Sequence, residues 1–537
     1  MAETKREIER KYDLAGSEGA AEPPDLTGVA GIADSVDKGV AELDAVYWDT
    51  VDQRLAAASI TLRRRTGGAD AGWHLKLPVS HIPGARDEIR APLSDTVPAD
   101  LAGLVRSRVR DAALVPVVRL RSARRIQHLL DAQGSLLAEL SVDRVRAERL
   151  GGGRGTSAWT ELEVELADDG EIALLDKVDK KLRKKGIRPS DAPSKLARAL
   201  AETAPEVPAV EPAGPEIATV RGKKAGKPAA VAEEVREAVG KGPGTAGDHV
   251  LAYLRAQRDA LVSLDPAVRR DLPDSVHQMR VATRRMRSAF KSFRKVLDRT
   301  VTDPVGEELK WLAGELGVDR DQEVLGERLT GRIAELPTTL LLGPVVARLQ
   351  AWSVARGSSS RRQALDVLDT ERYLTLLDTV DALLAAPPLK PAAAKAPAKA
   401  LTKALLKDYG RLETRVEHAL ALQPGEERDL AMHEARKAAK RARYAGEAAA
   451  PALGKPAEKF AKRMKAVQTV LGDHQDSVVA REALRTLAVQ AHMAGESAFT
   501  WGLLYGHEEA AAADRERELP GVWEQASQEK LRASLGA

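Results

Sequence analysis

Residues 277–287 read HQMRVATRRMR, and residues 433–443 read HEARKAAKRAR. His277, Arg280, Arg284, Arg285 and Arg287 thus return as His433, Arg436, Lys440, Arg441 and Arg443, each 156 residues later. Steps of three and four put a histidine and a column of cations on one helix face. In the first copy the steps run on through Lys291 to Arg294, while Met279, Val281, Met286, Ala289, Phe290, Phe293 and Val296 supply apolar contacts. That pattern predicts an amphipathic helix with one cationic stripe. Between His277 and Thr300 eight cations meet one acid, Asp298; between His433 and Tyr444 five cations, Lys437 among them, meet Glu434. A single charged face is ordinarily just solvated. Two such faces, with few acids at i±4 to relieve the repulsion, favour a polyanionic partner.

The repeat extends past these helices. Leu316-Gly317 followed by Asp321 matches Leu471-Gly472 followed by Asp476, at an offset of 155. Residues 246–537 are therefore expected to form an all-α, internally duplicated helical bundle. A stretch with four prolines, Ala385 to Lys399, would be the loop joining its halves. Residues 204–245, rich in Ala, Pro, Gly, Glu and Lys, carry no period and read as a flexible linker. Residues 1–203 have another character. Alternating stretches at Arg6 to Leu14, Ser59 to Thr66, Trp73 to Leu77, Val117 to Arg121, Leu136 to Arg146 and Trp159 to Ala167 read as strands, with turns such as Gly67-Gly68 and Gly151-Gly152-Gly153 between them. Helical patterns follow, from about Glu171 to Lys185 and from Ser194 to Thr203.

A chain of 537 residues is long enough for two or three domains. With 43% hydrophobic residues but only 3% aromatics, its cores must be mostly Ala, Leu and Val. The 83 basic residues nearly cancel 79 acidic ones, leaving +4, so local segregation matters more than net charge. The lack of cysteine excludes disulfides and thiolate metal sites. Met1 to Lys11 is unlike a secretory signal, and no run of about 18 apolar residues predicts a spanning helix. A soluble cytoplasmic protein with no membrane partner is expected.

Side chains alternate across a strand. Glu7, Glu9 and Lys11 share a face, as do Arg63 with Arg65, His74 with Lys76, Glu88 with Arg90, and Arg119 with Arg121. Glu139 and Asp143 flank Ser141, and Glu161, Glu163 and Glu165 lie opposite Leu162, Val164 and Leu166. An antiparallel sheet with one wet face accounts for any one of these strands. Taken together, acidic strands at both ends of the domain and basic ones between can converge on one cavity. Carboxylates there would hold a hard divalent cation such as Mg2+, and Arg and Lys would clamp phosphate oxygens. That inventory suits metal-dependent phosphoryl transfer. Periodicity alone does not say whether the charged face points inward.

The run Glu7-x-Glu9-x-Lys11 resembles the signature of the CYTH family, the triphosphate tunnel metalloenzymes. Leu62-Arg63-Arg64-Arg65, Leu75-Lys76, Arg119-x-Arg121, Glu139 with Asp143, Glu161-Leu162-Glu163-Val164-Glu165 and Pro193-Ser194-Lys195 resemble its later segments, in order across residues 3–200. The resemblance implies a closed antiparallel β-barrel of about eight strands whose charged faces line a tunnel. It implies Mg2+ or Mn2+ held by Glu7, Glu9, Glu161 and Glu163, with Asp143 and Glu165 assisting. It implies triphosphate bound by Lys11, Arg63, Arg65, Lys76, Arg119, Arg121 and Lys195. Glu163 and Glu165 are the candidates for the catalytic base. Family members hydrolyse inorganic triphosphate, thiamine triphosphate or RNA 5′-triphosphates, or cyclise ATP. The aromatic-poor segment Asp13 to Leu43 favours a small inorganic substrate, and Trp48 and Trp73 are either base-stacking candidates or core.

The two basic helices are similar to those of the CHAD domain, over residues 245–530. That resemblance implies two four-helix halves around a basic cleft that binds inorganic polyphosphate. Its ligands would be His277, Arg280, Arg284, Arg285, Arg287, Lys291, Arg294, His433, Arg436, Lys437, Lys440, Arg441 and Arg443. Lys459, Lys462, Arg463 and Lys465 either extend that groove or form a wet helix face. Nucleic acid is disfavoured as the anion, because Tyr444 is nearly the only exposed aromatic beside the cations. The expected function is metal-dependent hydrolysis of triphosphate or short polyphosphate by the first domain and polyphosphate binding by the second, with association to polyphosphate granules as a consequence. A non-enzymatic polyphosphate binder and a CYTH-type adenylyl cyclase are the alternatives.

Overall fold

The structure is a computed structural model that describes residues 3–14, 22–29, 31–79, 82, 84–151, 155–168, 170–204 and 244–536, with residues 318–323 and 355–361 described in backbone only. The expected linker therefore lies almost wholly outside the described residues, as do Gly152, Gly153 and the Asp321 side chain. The chain divides into two compact units, residues 1–220 and 221–537.

The first unit is a barrel. Its strands are β1 (Glu3–Asp13), β2 (Asp34–Asp49), β3 (Thr61–Thr66), β4 (Gly72–Pro78), β5 (Ala85–Ala91), β6 (Val115–Leu130), β7 (Leu136–Arg149) and β8 (Thr156–Leu166). They pair in the order β5-β4-β3-β2-β6-β7-β8-β1, and β5 returns to β1, closing eight antiparallel strands. A two-residue strand, β9 (Arg188–Pro189), adds to β1. Helices α1 (Arg54–Ala57), α2 (Ala99–Val109), α3 (Ile172–Lys184) and α4 (Lys195–Glu202) complete the unit.

The barrel is apolar outside and charged inside. On β8, Leu162, Val164 and Leu166 point outward and bury against Leu174, Leu175, Val178 and Leu182 of α3. On β4, Trp73, Leu75 and Leu77 do the same against Leu101, Leu104 and Val105 of α2. Burying each such side chain stabilises the unit by roughly 1.5–3 kcal/mol. The alternating partners on these strands, Glu161, Glu163 and Glu165 or His74 and Lys76, are thereby turned into the lumen. Helix α4 packs Leu196, Ala199 and Leu200 among inward residues that include Tyr47, Val118, Leu120, Val145 and Trp159. Ser194 caps it by accepting from the Ala197 amide at 3.1 Å, which makes Lys195 its first residue.

The second unit is helical: α5 (Ala246–Arg269), α6 (Ser275–Ser292), α7 (Arg299–Glu315), α8 (Gly317–Ala334), α9 (Val345–Leu368), α10 (Glu371–Ala385), α11 (Pro397–Ala421), α12 (Glu426–Leu453), α13 (Lys455–Met493), α14 (Phe499–Ala526) and α15 (Glu529–Ala533). α5 opens with a capping box between Thr245 and Asp248. The duplication is visible in the helices. α7 begins at Arg299 and α13 at Lys455, the same 156-residue step as the basic motif. The first copy breaks at Leu316 into α7 and α8, whereas the second runs on as one 39-residue helix. The first part of α13 lies in the main core with α5, α6, α11 and α12, and its last turns join a second core with α8 and α9. The expected loop at Ala385 to Lys399 is a docked segment. Asp298 and Lys390 amides donate across it to Pro388 and Val296 carbonyls at 2.8 Å, and Ala393 is buried.

Candidate functional site

Two groups of charged side chains fill the barrel lumen. In the first, Asp143 on β7 and Glu161 and Glu163 on β8 offer carboxylate oxygens all within 4.8 Å of one another, and all three residues are buried. The Lys195 ammonium stands among them, 3.0 Å from Asp143, 2.6 Å from Glu161 and 2.6 Å from Glu163. Arg124 on β6 reaches Asp143 at 2.7 Å and Glu163 at 2.8 Å. Lys11 pairs with Glu163 and lies 3.0 Å from Glu9. Burial would push the Glu163 carboxyl up, but Lys11, Lys195 and Arg124 outweigh it and hold Glu163 well below the usual range. Asp143 and Glu9 are lowered against burial in the same way, Asp143 chiefly by Arg124 and Glu9 chiefly by Lys11.

In the second group, Lys76 on β4 pairs with Glu7 on β1 and lies 3.6 Å from Glu88 on β5. Glu88 also meets His74 at 3.0 Å and Arg63 at 3.7 Å. Burial lifts Glu7 to about 7 despite Lys76. Glu88 is held far down against burial by His74, Lys76 and Arg63. His74 is pushed down to about 4, chiefly by burial. Burial, then Arg63 and Arg124, push Arg65 down to about 9, although it pairs with Asp70. A guanidinium so placed gains from an added anion.

These internal pairs leave a cavity of about 50 Å³, lined by Glu9, Lys11, Tyr47, Arg63, Lys76, Arg124, Glu163, Glu165 and Lys195 among others. The donor set of Asp143, Glu161 and Glu163 is hard oxygen only and suits an oxygen-seeking divalent cation. Glu7 and Glu9 lie outside that cluster, each nearest a lysine. Glu165 is only partly buried and is bound to Lys5 at 3.2 Å.

Of the expected lumen residues, Arg119 and Arg121 are placed elsewhere. Both are on the outer wall of β6, where Arg119 donates to Asp44 at 2.9 Å and Arg121 is exposed. The inward positions of β6 include Val118, Leu120, Ser122 and Arg124, and of these Arg124 supplies the lumen cation. Cations occupy both faces of this strand, so alternation could not choose between them. Trp48 and Trp73 pack on each other at 5.6 Å in the outer core against α2, away from the lumen. The aromatic that lines the cavity is Tyr47, 3.4 Å from Arg63.

In the helical unit, the two basic helices α6 and α12 pack together. Arg285 of α6 reaches Glu447 of α12 at 3.2 Å and lies over the Tyr444 ring at 5.6 Å. Burial depresses Arg287, Lys291 and Arg441, and Arg441 further depresses Lys291 across the helix pair. The helix expected to run to Arg294 ends at Ser292, because the chain turns there to enter its pairing with the docked segment. Arg294 follows in the turn and still acts on Arg441. Lys407, Arg411 and Arg415 of α11 join this basic surface. Their four-residue spacing puts them on one helix face. In the second copy His433 meets Gln475 at 2.6 Å, Arg436 meets Asp476 at 3.5 Å, Lys437 meets Glu434 at 2.6 Å and Arg443 meets Glu447 at 2.7 Å. Lys459, Lys462, Arg463 and Lys465 are exposed on α13.

The copies share one detail. The Arg280 guanidinium lies over Gly317, where a Cβ would stand 2.8 Å from it, and the Arg436 guanidinium lies over Gly472, at 3.6 Å. In the first copy the glycine leaves room for the arginine, whereas in the second a Cβ would make only an ordinary contact.

The profile of the CYTH domain matches residues 5–200, and that of the CHAD domain matches residues 252–485. A relative from Mycobacterium tuberculosis (strain ATCC 25618 / H37Rv), the uncharacterized protein Rv2226, is 38% identical over 531 residues, covering 95% of this chain and 94% of its own. Among solved structures, PptA from Streptomyces chartreusis aligns with TM-score 0.44 and 23% identity, covering 52% of this chain and 100% of that one. The CHAD domain from the plant Ricinus communis aligns with TM-score 0.39 and 26% identity, covering 55% and 93%.

Proposed function

Because the chain belongs to the family in which a CYTH domain is followed by a CHAD domain, we propose that its barrel hydrolyses inorganic triphosphate or short polyphosphate with Mg2+ or Mn2+, and that its helical unit binds long polyphosphate. CYTH domains act on triphosphates and use divalent metals. The observation that carries the reading is the lumen itself, where buried carboxylates and buried cations face one another across a closed barrel.

Asp143, Glu161 and Glu163, with Glu7 and Glu9 beside them, would hold the metal. A bound divalent cation neutralises phosphate charge there and lowers the pKa of a water. Lys11, Arg63, Arg65, Lys76, Arg124 and Lys195 clamp the phosphate oxygens by charge-assisted hydrogen bonds. Arg124 takes the place first expected for Arg119 and Arg121. Of the two candidate bases, Glu163 is held ionised by three cations and accepts a proton poorly. Glu165 lines the cavity with one close partner, Lys5, and is the better placed of the two to serve an attacking water.

Purified protein incubated with triphosphate, ATP or long polyphosphate, with and without Mg2+, tests this. Mg2+-dependent phosphate release lost in Glu161→Gln supports it. The pairing of lumen acids with lumen bases also suits a barrel that only holds phosphate chains. Polyphosphate binding with no turnover of any substrate would establish that second reading, and cyclic AMP from ATP would overturn both.

A further inference from the structure

Apart from the lumen and the cationic side chains of α6, α11 and α12, one cluster among the described residues has no role in the proposed function. Asp429 stands in the first turn of α12, His474 in the middle of α13 and Glu516 on α14. We propose that these three residues form a binding site for a divalent transition-metal cation of the Zn2+ class, joining α12, α13 and α14.

His474 is fully buried; among the described residues its Nδ1 has no hydrogen-bond partner, and its Nε2 meets only two carboxylates. A buried nitrogen without a partner carries a desolvation cost. Its Nε2 points between two carboxylates, 3.2 Å from Asp429 Oδ1 and 3.4 Å from Glu516 Oε1. A tetrahedral ion with bonds of roughly 2.0–2.1 Å keeps its ligands about 3.3 Å apart. All three ligand atoms lie within 4.8 Å of one another.

The carboxylates are held for this role. Arg481 donates to Asp429 Oδ2 at 2.7 Å, and Arg428 lies 3.1 Å from Glu516 Oε2. Each arginine takes the far oxygen and leaves the near one facing His474. Partners of this kind orient the groups that touch a metal. A groove of about 940 Å³, lined by Asp429, Glu516, Arg428, Arg481, Arg485 and Tyr505 among others, opens on the carboxylates. It supplies an entry path and a free side for a fourth ligand such as water. One imidazole with two carboxylates suits Zn2+ and its neighbours better than Mg2+, which prefers oxygen alone. The competing account is an imidazole held between the two carboxylates with no metal.

Full-length protein carrying Glu161→Gln and Glu163→Gln, to silence the lumen, is stripped with chelator and titrated with Zn2+ by calorimetry and with Co2+ by visible absorption. About one Zn2+ per chain is expected, with a higher melting temperature and Co2+ bands of low-coordinate geometry. His474→Gln and Asp429→Asn should each weaken Zn2+ binding by about ten-fold or more. Arg463→Ala should leave it unchanged. If His474→Gln does not fold by circular dichroism, Asp429→Asn decides alone. Absence of Zn2+ binding, or binding unaltered by the folded variants, overturns the site and leaves the metal-free contact between His474 and the two carboxylates as the account of the cluster.

Discussion

Lys195 concentrates the chemistry of the barrel in one ammonium group. It meets three buried carboxylates, and burial alone would strip its charge; Asp143, Glu161 and Glu163 instead raise its pKa. Lys195→Met should leave Glu161 without its cation, and Asp143 and Glu163 with Arg124 and Lys11 only, costing about 3–5 kcal/mol, and reduce triphosphate turnover. Urea denaturation with and without added Mg2+ reads the first effect, and part of the loss should return with the metal. A variant as stable as the parent would contradict the arrangement. Glu7 and His74 make opposed predictions with pH. Glu7 titrates near 7 in the fold against a usual 4.5, so its contribution to stability is full below about 4.5 and is lost as pH rises through about 7. His74 is depressed from 6.5 to about 4, so its contribution is present above about 6.5 and is lost as pH falls through about 4. The two offset one another in the parent. In Glu7→Gln the His74 trend should stand alone, and stability should rise between about pH 4 and 7 by about 1–3 kcal/mol relative to the parent trend. Chemical denaturation across that range checks it. At this scale the sequence named most lumen residues, because Glu7, Glu163 and Lys76 share strands with apolar partners of the opposite parity. It misassigned Arg119 and Arg121 because β6 alternates Arg with Val and Leu on one stretch and carries adjacent arginines, Arg124 and Arg125, on the next.

Among the elements, β2 shows where reading from residues stops. Its first half is largely exposed and lacks apolar alternation, so Asp34 to Leu43 looks like loop. Only the long pairing with β6 makes it a strand. α2 is hard to read from the sequence for a related reason, its cover over Trp73 and Leu75 being a tertiary contact. The basic helices were legible from spacing, whereas the contribution of α11 depends on how helices pack. Lys407→Glu with Arg411→Glu should therefore weaken polyphosphate binding and lower its salt dependence, about as much as Arg284→Glu with Lys440→Glu does. Calorimetry at two salt concentrations tests both pairs, and full affinity in the α11 pair would confine the cleft to α6 and α12. Gly317→Ala should shift Arg280 and reduce affinity, while Gly472→Ala, where the contact is ordinary, should not.

On the scale of the whole molecule, the proposed function gives the two units different relations to a phosphate chain, one taking an end and the other a length. If residues 204–245 only tether them, the helical unit raises the local concentration of chain ends at the barrel. Cleavage at a protease site inserted there should slow turnover of long polyphosphate and leave turnover of triphosphate unchanged. Equal slowing of both would show that the tether matters to the barrel itself. The lumen also sets a rule of admission. Its acids and bases already neutralise one another, so a lone metal must compete with Lys195 and a lone anion must compete with Glu163. A ligand that brings both charges releases each side from the other, and the two parts then bind more tightly together than the sum of their separate affinities. By reciprocity, triphosphate must tighten metal binding by the same factor that metal tightens triphosphate. The barrel is in this sense a lock that turns only when cation and anion arrive as a pair.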